Sequence, residues 1–336
     1  MLSALCVRVC SRVPSCSQGL AIVDAGGVTP LVTLLNEGDN RGKQFAATAL
    51  SRLAACNEAA STEIAKAHAI VSLVGLLSGA NGDAAQEAAA AALFSLAELV
   101  DNRVAITDAG GVGPLVTLLG SDHASTQMHA KGVLVRLSIE SANRALIITK
   151  LVDMLNASDS SAGDSESAQE QAAAAIANLA SESTENRVSI VDAGGIGPLI
   201  GLLEGGTPKA KENAIAAISK LAESDNIQKK IAQAGGVPLL VNTLASSTNA
   251  KELMQYAQLY TLAADALSKF ASRGKENQAQ ITDAGAIPSL VAILGAPLPD
   301  LQANAAECLG KLATNNSENQ VAIARTGGEP ASQGFH

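Results

Sequence analysis

The chain has 336 residues, of which 47% are apolar, only 2% are aromatic and none is tryptophan. Its formal net charge of −9 argues against general nucleic-acid binding, and no apolar run approaches the roughly twenty residues of a transmembrane helix. A core this poor in aromatic side chains is expected to consist of Ala, Leu, Ile and Val on closely packed helices.

The cysteines and histidines show no catalytic or metal-binding pattern. The first three cysteines lack the spacing of a zinc site, and we expect all five to be reduced, small core residues of an intracellular protein. The histidines form no pair with a Cys or Asp at metal or triad spacing. These residues are Cys6, Cys10, Cys16, Cys56 and Cys308, and His68, His123, His129 and His336.

Residues 1–20 admit two interpretations. The stretch carries Arg8 and Arg12, several Ser and Cys residues, and no acidic residue before Asp24, which is typical of a mitochondrial targeting segment. The same residues also fit the end of a truncated repeat that continues into AIVDAGG at 21–27. We favour the truncated repeat.

A unit of about forty residues recurs along the chain, with its clearest copy at 102–138. Its first part, as in Ile106 followed by Ala109-Gly110, predicts a short helix stopped by glycine. Its second part, Pro-Leu-Val-x-Leu-Leu, predicts a helix with proline in the first turn. Its third part is alanine-rich, with apolar residues at i, i+3, i+4 and i+7, which is typical of a buried helix face.

The last leucine of the second part recurs at intervals of 36 to 50 residues, at Leu35, Leu77, Leu119, Leu155, Leu203, Leu244 and Leu294. Three helices per unit of this length predict a single all-helical solenoid over 1–336. The predicted units are a partial repeat 1–18, repeats one to seven at 19–57, 58–100, 101–140, 141–184, 185–224, 225–275 and 276–317, and a partial repeat 318–336.

Three repeats depart from this pattern. In repeat two, His68 stands where other repeats have glycine. Repeat four lacks Gly-Gly, so we expect it to have lost most of its first helix, and its polar, acidic segment 156–171 predicts a mobile loop. Repeat six has eight extra residues between its second and third helices, including Met254, Tyr256 and Tyr260, which predict about two added helical turns with an apolar patch.

The recurring sequence NRVAITDAGGVGPLVTLL at 102–119, together with endings such as AALFSLAE at 91–98 and AAIANLASES at 174–183, resembles the armadillo repeat. The resemblance covers seven repeats. It implies an all-α, right-handed superhelical armadillo-repeat solenoid that serves as a protein–protein interaction scaffold and is not an enzyme. The Gly-rich segments lack the P-loop spacing and are interpreted as helix stops.

Armadillo proteins commonly hold an extended peptide along a concave groove, using an Asn near the end of each third helix. Only one of the seven corresponding residues here is Asn, and five are basic. The resemblance thus implies a peptide-binding groove lined by Arg52, Ser95, Arg136, Asn178, Lys220, Lys269 and Lys311.

This basic row predicts a partner segment with a carboxylate or phosphate at about every third residue, since neighbouring helices lie about 8–10 Å apart. The alternative is that these positions are simply solvated. Asp265 and Glu307 lie one turn before Lys269 and Lys311 and are expected to neutralise them. Arg52, Arg136 and Lys220 are therefore the stronger candidates. We also hypothesise that the acidic segment 156–171 covers this groove.

Several other functions remain open as alternatives. Nuclear-import adaptors of the family pair the groove Asn with a Trp one turn earlier, and no Trp exists here, so import of basic cargo is disfavoured. A substrate-recognition region of a larger protein, such as a U-box/armadillo ubiquitin ligase, would need residues beyond this chain. A membrane-tethered scaffold would need a lipid anchor. We expect protein partners, no cofactor, metal, nucleic acid or small-molecule substrate, and a cytoplasmic location, with the nucleus as an open second location.

Overall fold

The computed structural model describes residues 16–78, 80, 82–156, 162–245 and 250–328, which contain 22 α-helices and no strand. The all-α prediction is therefore confirmed for these residues. The chain divides into two compact units, Met1–Lys150 and Leu151–His336.

The first unit contains three successive sets of three helices, each set ending in a long third helix. In order they are α1 Cys16–Asp24, α2 Val28–Glu37 and α3 Asn40–Ala54; α4 Glu58–Lys66, α5 Ala69–Leu76 and α6 Asp83–Leu96; and α7 Val100–Asp108, α8 Val112–Thr117 with the 3₁₀ turn Leu118–Gly120, and α9 Ala124–Leu137. Residues 1–15, where the N-terminal interpretations mostly fall, lie outside the described residues.

The second unit begins within the long helix α10, Ser141–Asn156, at Leu151. Its helices are α11 Ala162–Glu182; α12 Thr184–Asp192, α13 Ile196–Gly205 and α14 Pro208–Leu221; α15 Asp225–Gln233, α16 Gly236–Ala245, α17 Ala250–Gln255 and α18 Ala257–Ala271; α19 Lys275–Asp283, α20 Ala286–Ile293 and α21 Pro299–Ala313; and α22 Ser317–Gly328.

The paired glycines end the first helix of a repeat as predicted, and each glycine has a separate role. Gly110 has φ +76°, the left-handed conformation that closes a helix, and its N–H donates to the Thr107 carbonyl at 2.9 Å. The N–H of Gly111 donates to the Ile106 carbonyl at 2.9 Å, and a Cβ there would lie 2.8 Å from that oxygen. In repeat two, His68 adopts the same left-handed conformation, with φ +60°, so its predicted junction role is confirmed.

The third helices are packed against one another in chain order within each unit. In the first unit α3 packs against α6 and α6 against α9. In the second, α11 packs against α14, α14 against α18, and α18 against α21. The predicted alanine–leucine stripe faces the core, since Ala46, Ala49, Leu50 and Leu53 are all fully buried. The small alanine side chains in this stripe let neighbouring helices approach closely.

The structure of repeat four differs from the structure predicted from the sequence. Because it has no glycine stop, its first and second helices join into the continuous 16-residue α10 instead of the first being lost. Residues 162–171 were predicted as part of a mobile loop, but they form the first turns of the 21-residue α11. Residues 157–161 lie outside the described residues. The hypothesis that the whole segment covers the groove as a loop is therefore wrong for 162–171.

The insertion in repeat six forms the separate short helix α17, which ends where Tyr256 leaves helical geometry with φ −117° and ψ +31°. The added helical turns are therefore present, but they do not extend the third helix. The expected apolar patch is divided, because Tyr260 is buried whereas Met254 is 58% exposed.

No individual helix in the described part of the chain has the length and apolar composition to cross a membrane. The bent pair α12 and α13 meets the length and composition criteria only when taken together, with a 79° bend between its helices.

Candidate functional site

The ends of the third helices are fixed by side-chain amides from the following helix. Asn102 Nδ2 donates to the Leu96 carbonyl at 3.0 Å, and Asn186 Nδ2 donates to the Leu179 carbonyl at 2.9 Å. Both Asn side chains are buried, so each satisfies a carbonyl that the helix end leaves without an intrahelical partner. Asn102 opens the recurring sequence at 102–119, but no role was predicted for it. Its recurrence four residues before the buried Ile of the first helix, as in Asn102 with Ile106 and Asn186 with Ile190, was the available signal.

These caps matter because the candidate binding residues lie near the ends of the same helices. We call the side of α3, α6 and α9 that carries Arg52, Ser95 and Arg136 the third-helix surface of the first unit. Its counterpart in the second unit is the side of α11, α14, α18 and α21 that carries Asn178, Lys220, Lys269 and Lys311. Each unit thus places its own candidates on successive packed helices.

Arg136 is oriented by Phe94 on the preceding third helix and by Glu98 just after that helix ends. Its guanidinium carbon lies 3.5 Å from the centroid of the Phe94 ring, a cation–π contact. It also forms an ion pair with Glu98, whose side chain is 64% exposed. Gly132 makes room for this arrangement, since a Cβ there would lie 2.4 Å from Phe94 Cε2. The ring of His129 lies 6.0 Å from that of Phe94. Arg136 is therefore a preoriented cation.

The other two candidates of the first unit, Ser95 and Arg52, already have partners within the protein. Ser95 Oγ donates back to the Ala91 carbonyl of its own helix at 3.3 Å. Arg52 is half-buried near the end of α3 and is not free of partners.

In the second unit, Lys269 belongs to a closed triangle of hydrogen bonds. Its Nζ lies 2.7 Å from Asp265 Oδ2 on the same helix and 2.7 Å from Ser219 Oγ on the preceding third helix. The Ser219 hydroxyl in turn lies 3.3 Å from Asp265 Oδ2. Ser219 is 3% exposed, so the lysine is anchored to a buried group.

Lys311 repeats this arrangement one helix further on. Its Nζ lies 2.9 Å from Ser268 Oγ and 2.7 Å from Glu307 Oε1, and Ser268 is 1% exposed. The adjacent Cys308 is fully buried, and burial raises the pKa of its thiol to about 12; Lys311 lowers that pKa and Glu307 raises it by smaller amounts.

The remaining two candidates of the second unit are more open. Lys220 pairs with Glu223 at 3.2 Å, and both side chains are about 40% exposed. Glu223 also lies 3.5 Å from Arg187 Nη1. Asn178 is exposed near the end of α11, and its carbonyl accepts a hydrogen bond from Ser181 Oγ.

The predicted pairs of Lys269 with Asp265 and of Lys311 with Glu307 are confirmed. Arg136 and Lys220, which were preferred because Lys269 and Lys311 were expected to be neutralised, each also have a carboxylate partner. The Lys220 partner lies three residues away and was visible as an i, i+3 pair. The Arg136 partner is 38 residues away in sequence and becomes visible only in the packed structure.

Comparison with known proteins agrees with this architecture. The family model of the armadillo/β-catenin-like repeat matches residues 20–55, 100–139 and 183–223. The crystal structure of an engineered protein from a structural genomics consortium is 33% identical, covering 94% of this chain and 74% of that one, with a TM-score of 0.61. A designed armadillo repeat protein is 25% identical over 85% of this chain and 99% of its own, with a TM-score of 0.46. No curated protein matches.

Three matching regions, the recurring helix pattern and the glycine stops define an all-α repeat protein of the armadillo class. The chain belongs to the armadillo repeat family, whose fold is typical of protein-binding scaffolds.

Proposed function

We propose that this protein is a protein–protein interaction scaffold in which the third-helix surface of each unit binds an extended partner segment. The observation that carries the proposal is the placement of a polar donor at the same position of successive packed third helices in each unit. Such a row suits an extended chain, whose backbone carbonyls and side chains recur at short, regular intervals.

We further propose that the segment bound on each unit is acidic or phosphorylated, and that Arg136 in the first unit and Lys220 in the second each recognise an anionic group on their own third-helix surface. Both cations are paired with exposed glutamates, Glu98 and Glu223. Exposed ion pairs contribute only about 0–1 kcal/mol, so a partner carboxylate or phosphate can replace the glutamate at little cost. Stacking on Phe94 holds the Arg136 guanidinium in place for such a group.

The test is a fluorescence titration of 12-residue peptides that carry Glu, phosphoserine, Gln or Lys at every third position. The wild type is compared with the double variant Arg136→Gln/Lys220→Gln. Its control, Lys131→Gln/Lys229→Gln, removes two exposed cations that lie elsewhere on α9 and α15. The control therefore has the same net charge as the test variant.

The expected result is that wild type and control prefer the Glu and phosphoserine peptides, with affinity that falls as salt rises. The affinity of the test variant for these two peptides should be roughly tenfold lower or more, since a hydrogen bond to a charged group contributes about 1.5–3 kcal/mol. Equal loss in the two variants would attribute binding to overall charge and contradict the proposal for these residues. Failure of every peptide to bind the wild type would overturn the scaffold proposal itself.

A further inference from the structure

The second unit contains a cavity of about 300 Å³ between repeats five and six. It lies near the ends of the second helices α13 and α16 and the starts of the third helices α14 and α18. Lys211 and Leu259, which line it, lie at the opposite ends of α14 and α18 from Lys220 and Lys269. A helix rises 1.5 Å per residue, so the two pairs are separated by roughly 14 Å along their helices. The cavity is therefore distinct from the third-helix surface of the second unit.

Three leucine side chains form the apolar part of this cavity. Leu203 on α13 and Leu259 on α18 are buried, and Leu239 on α16 is half-buried. No aromatic side chain of the described residues lines the cavity. Its volume is at the lower end of the range of about 300–1,000 Å³ that is typical of small-molecule sites. Apolar surface is favourably buried against leucine, so the cavity suits a small aliphatic group.

Three polar side chains line the same cavity without partners of their own. Lys211 is half-buried, and Glu204 and Asn242 are exposed. Within the described part of the chain, none of these three side chains forms a hydrogen bond or an ion pair. Lys209, two residues before Lys211, differs in this respect because it pairs with Glu212 at 2.8 Å. The cavity therefore offers one cation, one anion and one amide that a ligand can bind.

The charges of Glu204 and Lys211 limit the kind of ligand that fits. They stand on either side of the turn that joins α13 to α14. A ligand with only a carboxylate would meet the like charge of Glu204, and a ligand with only an ammonium group would meet the like charge of Lys211. A ligand that carries both groups can pair each of them with its opposite.

We propose that this cavity binds a free α-amino acid with an aliphatic side chain, such as leucine. The carboxylate of the ligand accepts hydrogen bonds from Lys211 and from the Asn242 amide, and its ammonium group donates to Glu204. Its side chain packs against the three leucines of the cavity. This site goes beyond the proposed function, because it involves neither the partner segment nor the third-helix surfaces.

The test is isothermal titration calorimetry of the full chain with L-leucine and four analogues. 4-Methylpentanoate keeps only the carboxylate, and 3-methylbutylamine keeps only the ammonium group. Glycine keeps both charges without the side chain, and N-acetyl-leucine amide keeps the side chain without either charge. L-Leucine should bind roughly tenfold more tightly than each analogue, because each analogue lacks a group that the cavity pairs or packs against.

Two variants and a matched control assign the two charges. Lys211→Met should weaken the binding of L-leucine roughly tenfold and strengthen that of 3-methylbutylamine, because a like charge is removed. Glu204→Gln should likewise strengthen the binding of 4-methylpentanoate. Lys209→Met changes the net charge as Lys211→Met does, but Lys209 does not line the cavity, so this control should bind L-leucine like the wild type. Circular dichroism checks that each variant keeps its helix content.

The inference is overturned if N-acetyl-leucine amide binds as tightly as L-leucine, since the cavity would then accept a leucine side chain of a partner segment. It is also overturned if Lys209→Met and Lys211→Met weaken L-leucine binding equally, or if the wild type does not bind L-leucine at millimolar concentration. All three results leave the scaffold proposal standing, because the acidic peptides test that proposal separately.

Discussion

Arg136 in the first unit and Lys269 and Lys311 in the second are held in different ways, although they occupy the same repeat position. In the first unit Arg136 lies on the face of Phe94 and pairs with an exposed glutamate. In the second unit Lys269 and Lys311 donate to buried serines and to carboxylates of their own helices. One arrangement stacks the cation on an aromatic ring beside a largely exposed carboxylate, and the other anchors it to a buried hydroxyl.

A single neighbouring residue accounts for this difference. Phe94, Ser219 and Ser268 each occupy the residue just before the candidate position in their own repeat, and each contacts the cation of the next repeat. An aromatic residue there offers a π face, which suits a planar guanidinium, whereas serine offers an oxygen acceptor, which suits an ammonium group. The recognition properties of one repeat therefore depend on the sequence of the repeat before it.

The largest expected effect comes from alanine substitution of two helical glycines. Gly132 lies on the helix of Arg136, and Gly310 lies on the helix of Lys311. A Cβ at Gly132 would lie 2.4 Å from the Phe94 ring, whereas a Cβ at Gly310 would meet nothing within 4 Å. We expect Gly132→Ala to lower the free energy of unfolding by about 1 kcal/mol, because the ring must move. Gly310→Ala should raise it by about 0.5–1 kcal/mol through helix propensity. Urea denaturation of both variants measures the difference.

The same two variants distinguish the packing of the Phe94 ring from the helix propensity of alanine. Gly132→Ala should also weaken binding of the acidic peptides, since the displaced ring no longer supports Arg136, whereas Gly310→Ala should leave their binding unchanged. Stabilisation by both substitutions would show that Phe94 moves aside without cost. The stacked arrangement would then have no role in holding the cation.

Much of this fold is predictable from the sequence because the repeat presents the same signals many times. The glycine stops and the alanine–leucine stripe are local features with a direct physical meaning, and the structure confirms both. The prediction for repeat four is wrong because the absence of Gly-Gly does not remove a helix. Without a stop signal, a helix-forming sequence simply continues, as α10 does from Ser141 to Asn156.

The site was predictable only in part. Its positions follow from the repeat alignment, and the lysine–carboxylate pairs follow from i, i+4 spacing. The contacts of Phe94 and Glu98 with Arg136, and of Ser219 with Lys269, join residues 38 to 50 positions apart. They depend on how far one helix is rotated against the next. A single sequence does not reveal that rotation, so it did not show that Arg136 is already paired.

A smaller effect concerns Cys308, beside the neutralised Lys311. Burial raises its thiol pKa from 9.0 to about 12, so in the folded state the thiol stays protonated at pH values where the unfolded chain ionises. The stabilisation is complete below pH 9 and is lost as pH rises toward 12. Between pH 8 and pH 10 the free energy of unfolding of the wild type should fall by about 1 kcal/mol more than that of Cys308→Ala.

Urea denaturation of both proteins at the two pH values provides the measurement. The comparison with Cys308→Ala removes the contributions of lysines and tyrosines, which both proteins share. An identical pH dependence in the two proteins would contradict burial of the thiol beside Lys311, and with it the tight packing of α21 in the second unit.

The smallest expected effect compares the two kinds of ion pair directly. Double-mutant cycles with alanine should give a coupling of about 1 kcal/mol for Lys269 and Asp265, which are both about one-third exposed and share the buried Ser219. The coupling of Arg136 and Glu98 should be about 0.5 kcal/mol or less, because Glu98 is largely exposed. Adding 1 M NaCl should remove most of the second coupling and less of the first, since screening acts mainly on exposed charges. Equal couplings with equal salt dependence would mean that the buried serine contributes nothing to the lysine pair, and the distinction between the two units would then be one of geometry only.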